Sequence, residues 1–86
     1  VIAPKAVLIV DEAYNELTPD PAANSLVDRV KAGDNIVVTR TFSKIYGLAG
    51  LRVGYAIARP DLITRMQGWS MSVGNSTAGI AAALAT

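Results

Sequence analysis

Val7-Leu8-Ile9-Val10-Asp11-Glu12 and Ile36-Val37-Val38-Thr39 are the two stretches that decide the fold. Each is a short apolar run that ends in a polar residue. Such a run lacks the alternation of a strand with one wet face, and suits a strand buried on both faces of a parallel sheet. Between them, Thr18-Pro19-Asp20-Pro21 is turn chemistry, with Asp20 set to cap a helix and Pro21 to fill its first turn. Leu26, Val27 and Val30 recur at helical spacing, and Gly33 is placed to end that helix. One helix within a 25-residue connection has the size of a strand–helix–strand crossover, so the two strands are expected to be parallel.

Outward from that unit, residues 40–52 read as a loop rich in Gly, Ser and Thr. A third strand is expected over residues 53–58, interrupted by Gly54. The link before it shows no helix, so this strand is expected to be antiparallel. Arg59-Pro60-Asp61 opens a second helix, with Leu62, Met66, Trp69 and Val73 at helical spacing. Gly68 weakens it by about 1 kcal/mol relative to Ala. After Gly74, Asn75 or Ser76 can cap a last helix over 77–85. That helix is nearly all Ala, Ile and Leu, has no polar face, and should pack within a larger body. Met66, Trp69 and Met71 read as core or subunit contact, and Arg29, Lys31, Arg59 and Arg65 as a solvated face. The fold class is α/β: a partial, mostly parallel sheet with a crossover helix and open edges.

Composition narrows the function. The chain has 86 residues, 51% of them apolar, and a mean hydropathy of +0.34, which excludes a disordered tail. A chain this short buries only about 60–65% of its unfolded surface. So apolar a composition therefore suggests that residues 1–86 are the central part of one larger, incomplete domain. The net charge is +1 and no basic block exists, so nucleic-acid binding is not expected. Without Cys or His there is no disulfide framework, thiolate zinc site, catalytic cysteine or Ser-His-Asp triad. No apolar run approaches the roughly 20 residues that span a bilayer, and a soluble, cytoplasmic protein is expected.

Ligands of open α/β sheets gather at the carboxyl ends of the strands. The first strand delivers Asp11 there, with Glu12 and Tyr14 just beyond, and the second delivers Thr41, Ser43 and Lys44. An antiparallel third strand would bring Arg52 to the same edge. A guanidinium with two hydroxyls suits a phosphate. A lysine amine is a nucleophile toward aldehydes, and a carboxylate can hold a heteroaromatic nitrogen protonated. Pyridoxal 5'-phosphate would engage all of them. Singly, each residue has a plainer role: Lys44 a solvated loop lysine, Arg52 a strand-end charge, Tyr14 a packing residue. Asp11-Glu12 after an apolar strand also fits the metal-binding acidic pair of a Walker-type ATPase, although the chain has no G-x-x-x-x-G-K-[ST] loop.

Taken together, Asp11-Glu12-Ala13-Tyr14 and Thr41-Phe42-Ser43-Lys44-Ile45-Tyr46-Gly47-Leu48-Ala49-Gly50-Leu51-Arg52 resemble the class I/II aminotransferases of fold type I. They are most similar to the histidinol-phosphate aminotransferase branch. The resemblance implies that Lys44 forms the Schiff base with pyridoxal phosphate, Asp11 pairs with the ring nitrogen and Tyr14 bonds the ring's phenolic oxygen. It implies that Thr41, Ser43 and Arg52 hold the phosphate. It further implies ping-pong amino-group transfer from an amino donor to a 2-oxo acid, in a homodimer. The family's upstream phosphate loop, ring-stacking aromatic and carboxylate-binding Arg have no counterpart here, so the chain alone is expected to be inactive. A lyase or decarboxylase of the same fold would share every residue named.

Overall fold

The computed structural model describes residues 6–69 and 74–86. Three strands form one sheet in the order β1 (Leu8–Asp11), β2 (Ile36–Thr41), β3 (Gly54–Ile57). β1 and β2 are parallel, with Leu8 opposite Ile36 and Asp11 opposite Thr39. β2 and β3 are antiparallel, with Val38 opposite Ile57 and Thr41 opposite Gly54. Both expected strand directions are therefore found. β2 continues past Thr39 to Thr41 because the antiparallel neighbour supplies partners for two more residues, Arg40 to Tyr55 and Thr41 to Gly54. Gly54 does not interrupt β3. A Cβ there would lie 3.0 Å from the Arg40 carbonyl oxygen, so the strand is closely paired where it lacks a side chain.

The crossover differs from expectation. It holds two short helices, α1 (Pro21–Asn24) and α2 (Val27–Lys31), separated at Ser25 and Leu26. Asp20 caps α1 as its sequence suggests, its carboxylate accepting from the Ala23 amide at 3.2 Å. Gly33 closes the connection at φ +95°. The break between the helices has an identifiable cause in Glu12, whose side chain is only 4% exposed. One carboxylate oxygen accepts from the Leu26 amide at 2.8 Å, and the other from the Ser25 hydroxyl at 3.1 Å. Arg40 donates to that second oxygen from Nε at 3.1 Å and Nη2 at 3.0 Å, and Nη2 also reaches the Ser25 hydroxyl at 3.0 Å. Glu12 thus accepts a helix N-terminal amide from outside the helix, and the continuous helix gives way to that bond.

The core lies beneath α2, where Val30 packs on Ile36 and Val38, with Leu8, Val10, Leu26, Val27 and Ile57 around them. On the opposite face, α3 (Pro60–Gln67) seats Leu62 against the sheet. Val7, Ile9, Val37, Leu62, Met66 and Trp69 line an apolar groove of about 260 Å³ there. α3 stops at Gln67, with Gly68 closing it, so the expected continuation through Trp69 is not formed. Val73 and Met71 lie outside the described residues. Trp69 is 92% exposed and Met66 half-exposed, so neither packs in a core. α4 (Thr77–Leu84) begins where expected, with the Ser76 hydroxyl accepting from the Gly79 amide at 3.0 Å. Gly79 lies so near Val53 and the Leu51 carbonyl that a Cβ would come within 2.9 and 3.1 Å of them.

Arg59 is more than part of a solvated face. Its Nη1 donates to the Gly33 carbonyl at 2.8 Å, tying the start of α3 to the turn before β2, while Nε and Nη2 fork onto the exposed Asp61. Arg29 likewise pairs with Asp34.

Two outcomes follow from these contacts. Glu12→Ala strands the Arg40 guanidinium and the Leu26 amide, and should destabilise the protein by about 3 kcal/mol in urea unfolding. The Arg59 guanidinium bonded to Asp61 lowers that carboxyl below its usual 3.8. A depressed carboxylate contributes stability above the unfolded value and loses it as pH falls through the folded one. Titration by carbon NMR should therefore find Asp61 ionising below pH 3.8, and Arg59→Ala should raise it toward that value.

Candidate functional site

The carboxyl ends of β1 and β2 and the amino end of β3 share one edge, fixed by the pairing of Asp11 with Thr39 and of Thr41 with Gly54. At the end of β1 the Asp11 carboxylate is exposed. Its Oδ1 accepts from the Ala13 amide at 3.1 Å and the Thr39 hydroxyl at 3.3 Å, and Oδ2 accepts none of the described hydrogen bonds. The chain then turns, and Tyr14 stands exposed before a single 3-10 turn at Asn15–Leu17. The Lys44 Nζ lies 5.4 Å from the centre of the Tyr14 ring, a cation–π contact worth about 0.5–1 kcal/mol at such an exposed site.

Lys44 reaches that position from a loop held at several points. Leaving β2, the Thr41 hydroxyl accepts from the Ser43 amide at 3.0 Å and bends the chain. The Phe42 amide donates to the Val53 carbonyl at 3.0 Å, and Leu48 and Gly47 donate to the Phe42 and Lys44 carbonyls at 2.9 and 3.1 Å. The Phe42 ring packs against Tyr46 and Tyr55, with centroids 5.3 and 5.7 Å away. Gly47 has φ +67°, as a tight turn requires.

Arg52 closes the loop in the left-handed region at φ +54°, unusual for a residue with a Cβ and costing about 1–2 kcal/mol. Its carbonyl accepts from the Asn75 side chain at 3.1 Å and its Nη1 donates to the Ala49 carbonyl at 3.0 Å. The structure therefore joins Lys44 to Tyr14 and Thr41 to Ser43, and brings Asp11 to the same edge. Among the described hydrogen bonds none joins Arg52 to Thr41 or Ser43. The guanidinium has five N–H donors, and among the described hydrogen bonds only Nη1 is used, on the Ala49 carbonyl.

Arg40 was not singled out from the sequence. Alternation along β2 puts it on the face of Ile36 and Val38, and a charge on a buried strand face requires a partner. The signal was therefore present. The Tyr55 hydroxyl opposite and then the Glu12 carboxylate raise the Arg40 pKa, against the opposing effect of burial. The same bonds correct the Walker-type alternative: donors occupy both oxygens of Glu12, so Asp11 and Glu12 do not form an open acidic pair.

An exposed amine, a carboxylate with one uncommitted oxygen, a phenol, two hydroxyls and a guanidinium at one sheet edge fit a phosphorylated heteroaromatic aldehyde in their chemistry. The sequence model of the family Aminotransferase class I and II matches residues 1–86. The chain belongs to the class I and II aminotransferases. It is 51% identical over 65 residues to an aromatic amino acid aminotransferase of Mycolicibacterium vanbaalenii, covering 76% of this chain and 18% of that protein. It is 48% identical over 84 residues to an aromatic amino acid aminotransferase of Mycobacterium tuberculosis, covering 96% and 24%. It is 52% identical over 58 residues to a histidinol-phosphate aminotransferase of Cupriavidus pinatubonensis, covering 67% and 15%. The chain thus spans a quarter or less of the length of these relatives.

The turn after β2 has a direct test. Thr41→Val removes the acceptor for the Ser43 amide without changing side-chain shape. Hydrogen exchange at Ser43 should accelerate about two- to tenfold, while exchange at Val38 in the strand interior stays as it was.

Proposed function

We propose that this chain carries the lysine-bearing part of a pyridoxal-phosphate-dependent aminotransferase. The observation that carries the reading is the Lys44 amine 5.4 Å from the centre of the Tyr14 ring, at the sheet edge where Asp11 keeps one oxygen uncommitted. When bound, the cofactor supplies an aldehyde that takes up amines and a protonated ring that withdraws electrons from the carbon beside the nitrogen.

The chain's own residues then have separable tasks. Lys44 would anchor the cofactor through its aldehyde and, once freed by a donor amine, would serve as the base that takes the proton from the donor's α-carbon onto its own amine. Asp11 would accept the ring N–H and so keep that nitrogen protonated. Tyr14 donates its hydroxyl to the ring's phenolic oxygen. Thr41, Ser43 and the Arg52 guanidinium would hold the phosphate. Return of the amino group to a 2-oxo acid completes the ping-pong cycle. The named relatives act on aromatic amino acids and on histidinol phosphate, so the amino donor is an amine carrying an aromatic ring. The functional protein is a cytoplasmic homodimer, and residues 1–86 are the central part of its cofactor-binding domain, without activity of their own.

Borohydride trapping tests the reading. The full gene product is incubated with pyridoxal phosphate, reduced, digested and mapped by mass spectrometry. The expected result is close to one phosphopyridoxyl group per chain on Lys44, well above Lys5 and Lys31, and its loss in Lys44→Arg. An even spread over the lysines overturns the proposal.

A further inference from the structure

We propose that Thr39 is a positioning residue for Asp11, setting the direction in which that carboxylate presents its uncommitted oxygen to an N–H donor. The proposal rests on the reading of Asp11 as partner of the cofactor's ring nitrogen. Its basis is the register of the parallel pair, which puts Thr39 directly opposite Asp11, both side chains on one face of the sheet.

Thr39 holds this end of β1 twice. Its carbonyl accepts from the amide of Glu12, the residue after Asp11, at 2.9 Å. Its hydroxyl donates to Asp11 Oδ1 at 3.3 Å. The Ala13 amide reaches the same oxygen at 3.1 Å from the turn that follows. A carboxylate on a single donor can still rotate about its Cβ–Cγ bond, because that torsion is broad and shallow. A second donor on the neighbouring strand restricts the rotation, leaving Oδ2 directed away from both. A β-branched residue is stiff at χ1, so the strand fixes where the Thr39 hydroxyl points. Its antiparallel partner is Ala56, a small residue.

The two donors differ in kind. Any residue at position 13 other than Pro supplies the amide, whereas the second bond needs a side-chain donor at position 39, here the threonine hydroxyl. Valine would keep the shape, the strand preference and the backbone bond to Glu12 while removing the hydroxyl. Asp11 could then turn on its remaining bond, and a ring N–H, which needs close alignment with its acceptor, would meet a less defined oxygen.

The test uses the full gene product loaded with pyridoxal phosphate labelled with nitrogen-15 in the ring. Lys44 loading is verified by borohydride trapping. The ring-nitrogen NMR signal, the cofactor dissociation constant and thermal stability are measured for wild type, Thr39→Val, Thr39→Ala and Thr39→Ser. Val and Ala are expected to move or broaden the ring-nitrogen signal and weaken cofactor binding about two- to tenfold, while Ser retains the wild-type signal. Loaded Val and Ala variants with an unmoved signal overturn the proposal, whatever happens to their stability. A Ser variant that behaves like Val overturns it too, by assigning the effect to packing. If wild type takes no label on Lys44, the cofactor reading fails and this role with it; if the label is present and the signal unmoved, only the role of Thr39 fails.

Discussion

The carboxylate of Glu12 ties together three elements of this structure. Its oxygens receive the Leu26 amide, the Ser25 hydroxyl and two nitrogens of Arg40. A buried carboxylate is tolerated only when it is hydrogen-bonded and its charge is met, and here four donors do the first while the guanidinium that supplies two of them does the second. The bonds connect the end of β1, the start of α2 and the end of β2. The site edge is thus braced on the face opposite Asp11. Two consecutive residues divide the work: Asp11 is exposed and, among the described hydrogen bonds, accepts only at Oδ1, while Glu12 is engaged at both oxygens beneath it.

Much of this architecture was legible in the sequence because it follows from local chemistry. Unbroken apolar runs gave the two strands, and the length of the connection gave their parallel relation, but burial on both faces holds only for the run in β2: in β1, at the edge of the sheet, Ile9 is 69% exposed. The absence of a helix after Lys44 gave the antiparallel third strand. Asp20 and Ser76 act as caps where their neighbours suggested. The break at Ser25 and Leu26 was not legible, since its cause lies in Glu12, thirteen and fourteen residues away along the chain. The end of α3 was misread for the opposite reason. Apolar spacing continued through Trp69, but Gly68 ended the helix, and Trp69 is left almost wholly exposed.

The site was legible to a similar depth. Topology alone brought Asp11, Tyr14, Thr41, Ser43, Lys44 and Arg52 to one edge, and the structure pairs Lys44 with Tyr14 there. It did not reveal that Arg52 would adopt a left-handed backbone and bond its own turn. Nor did it reveal the hydroxyl of Thr39 on Asp11, because cross-strand neighbours become visible only once the register is known. Membership of the class I and II aminotransferases rests on the whole chain. The roles of single residues rest on where these bonds leave each group.

The loop that carries Lys44 is anchored at both ends. Phe42 is bonded to Val53 across the base, and the chain folds back so that Leu48 meets Phe42 and Gly47 meets Lys44. The backbone at Lys44 is therefore a fixed pivot, and only the four methylenes beyond it can swing. The amine sweeps a small dome over the sheet edge whose radius is the length of one side chain. Chemistry requiring a longer stroke lies outside that dome. In the role proposed for Lys44, the reacting carbon would have to be delivered to the lysine, and the precision of the delivery would fall to the groups that hold the remainder of the cofactor.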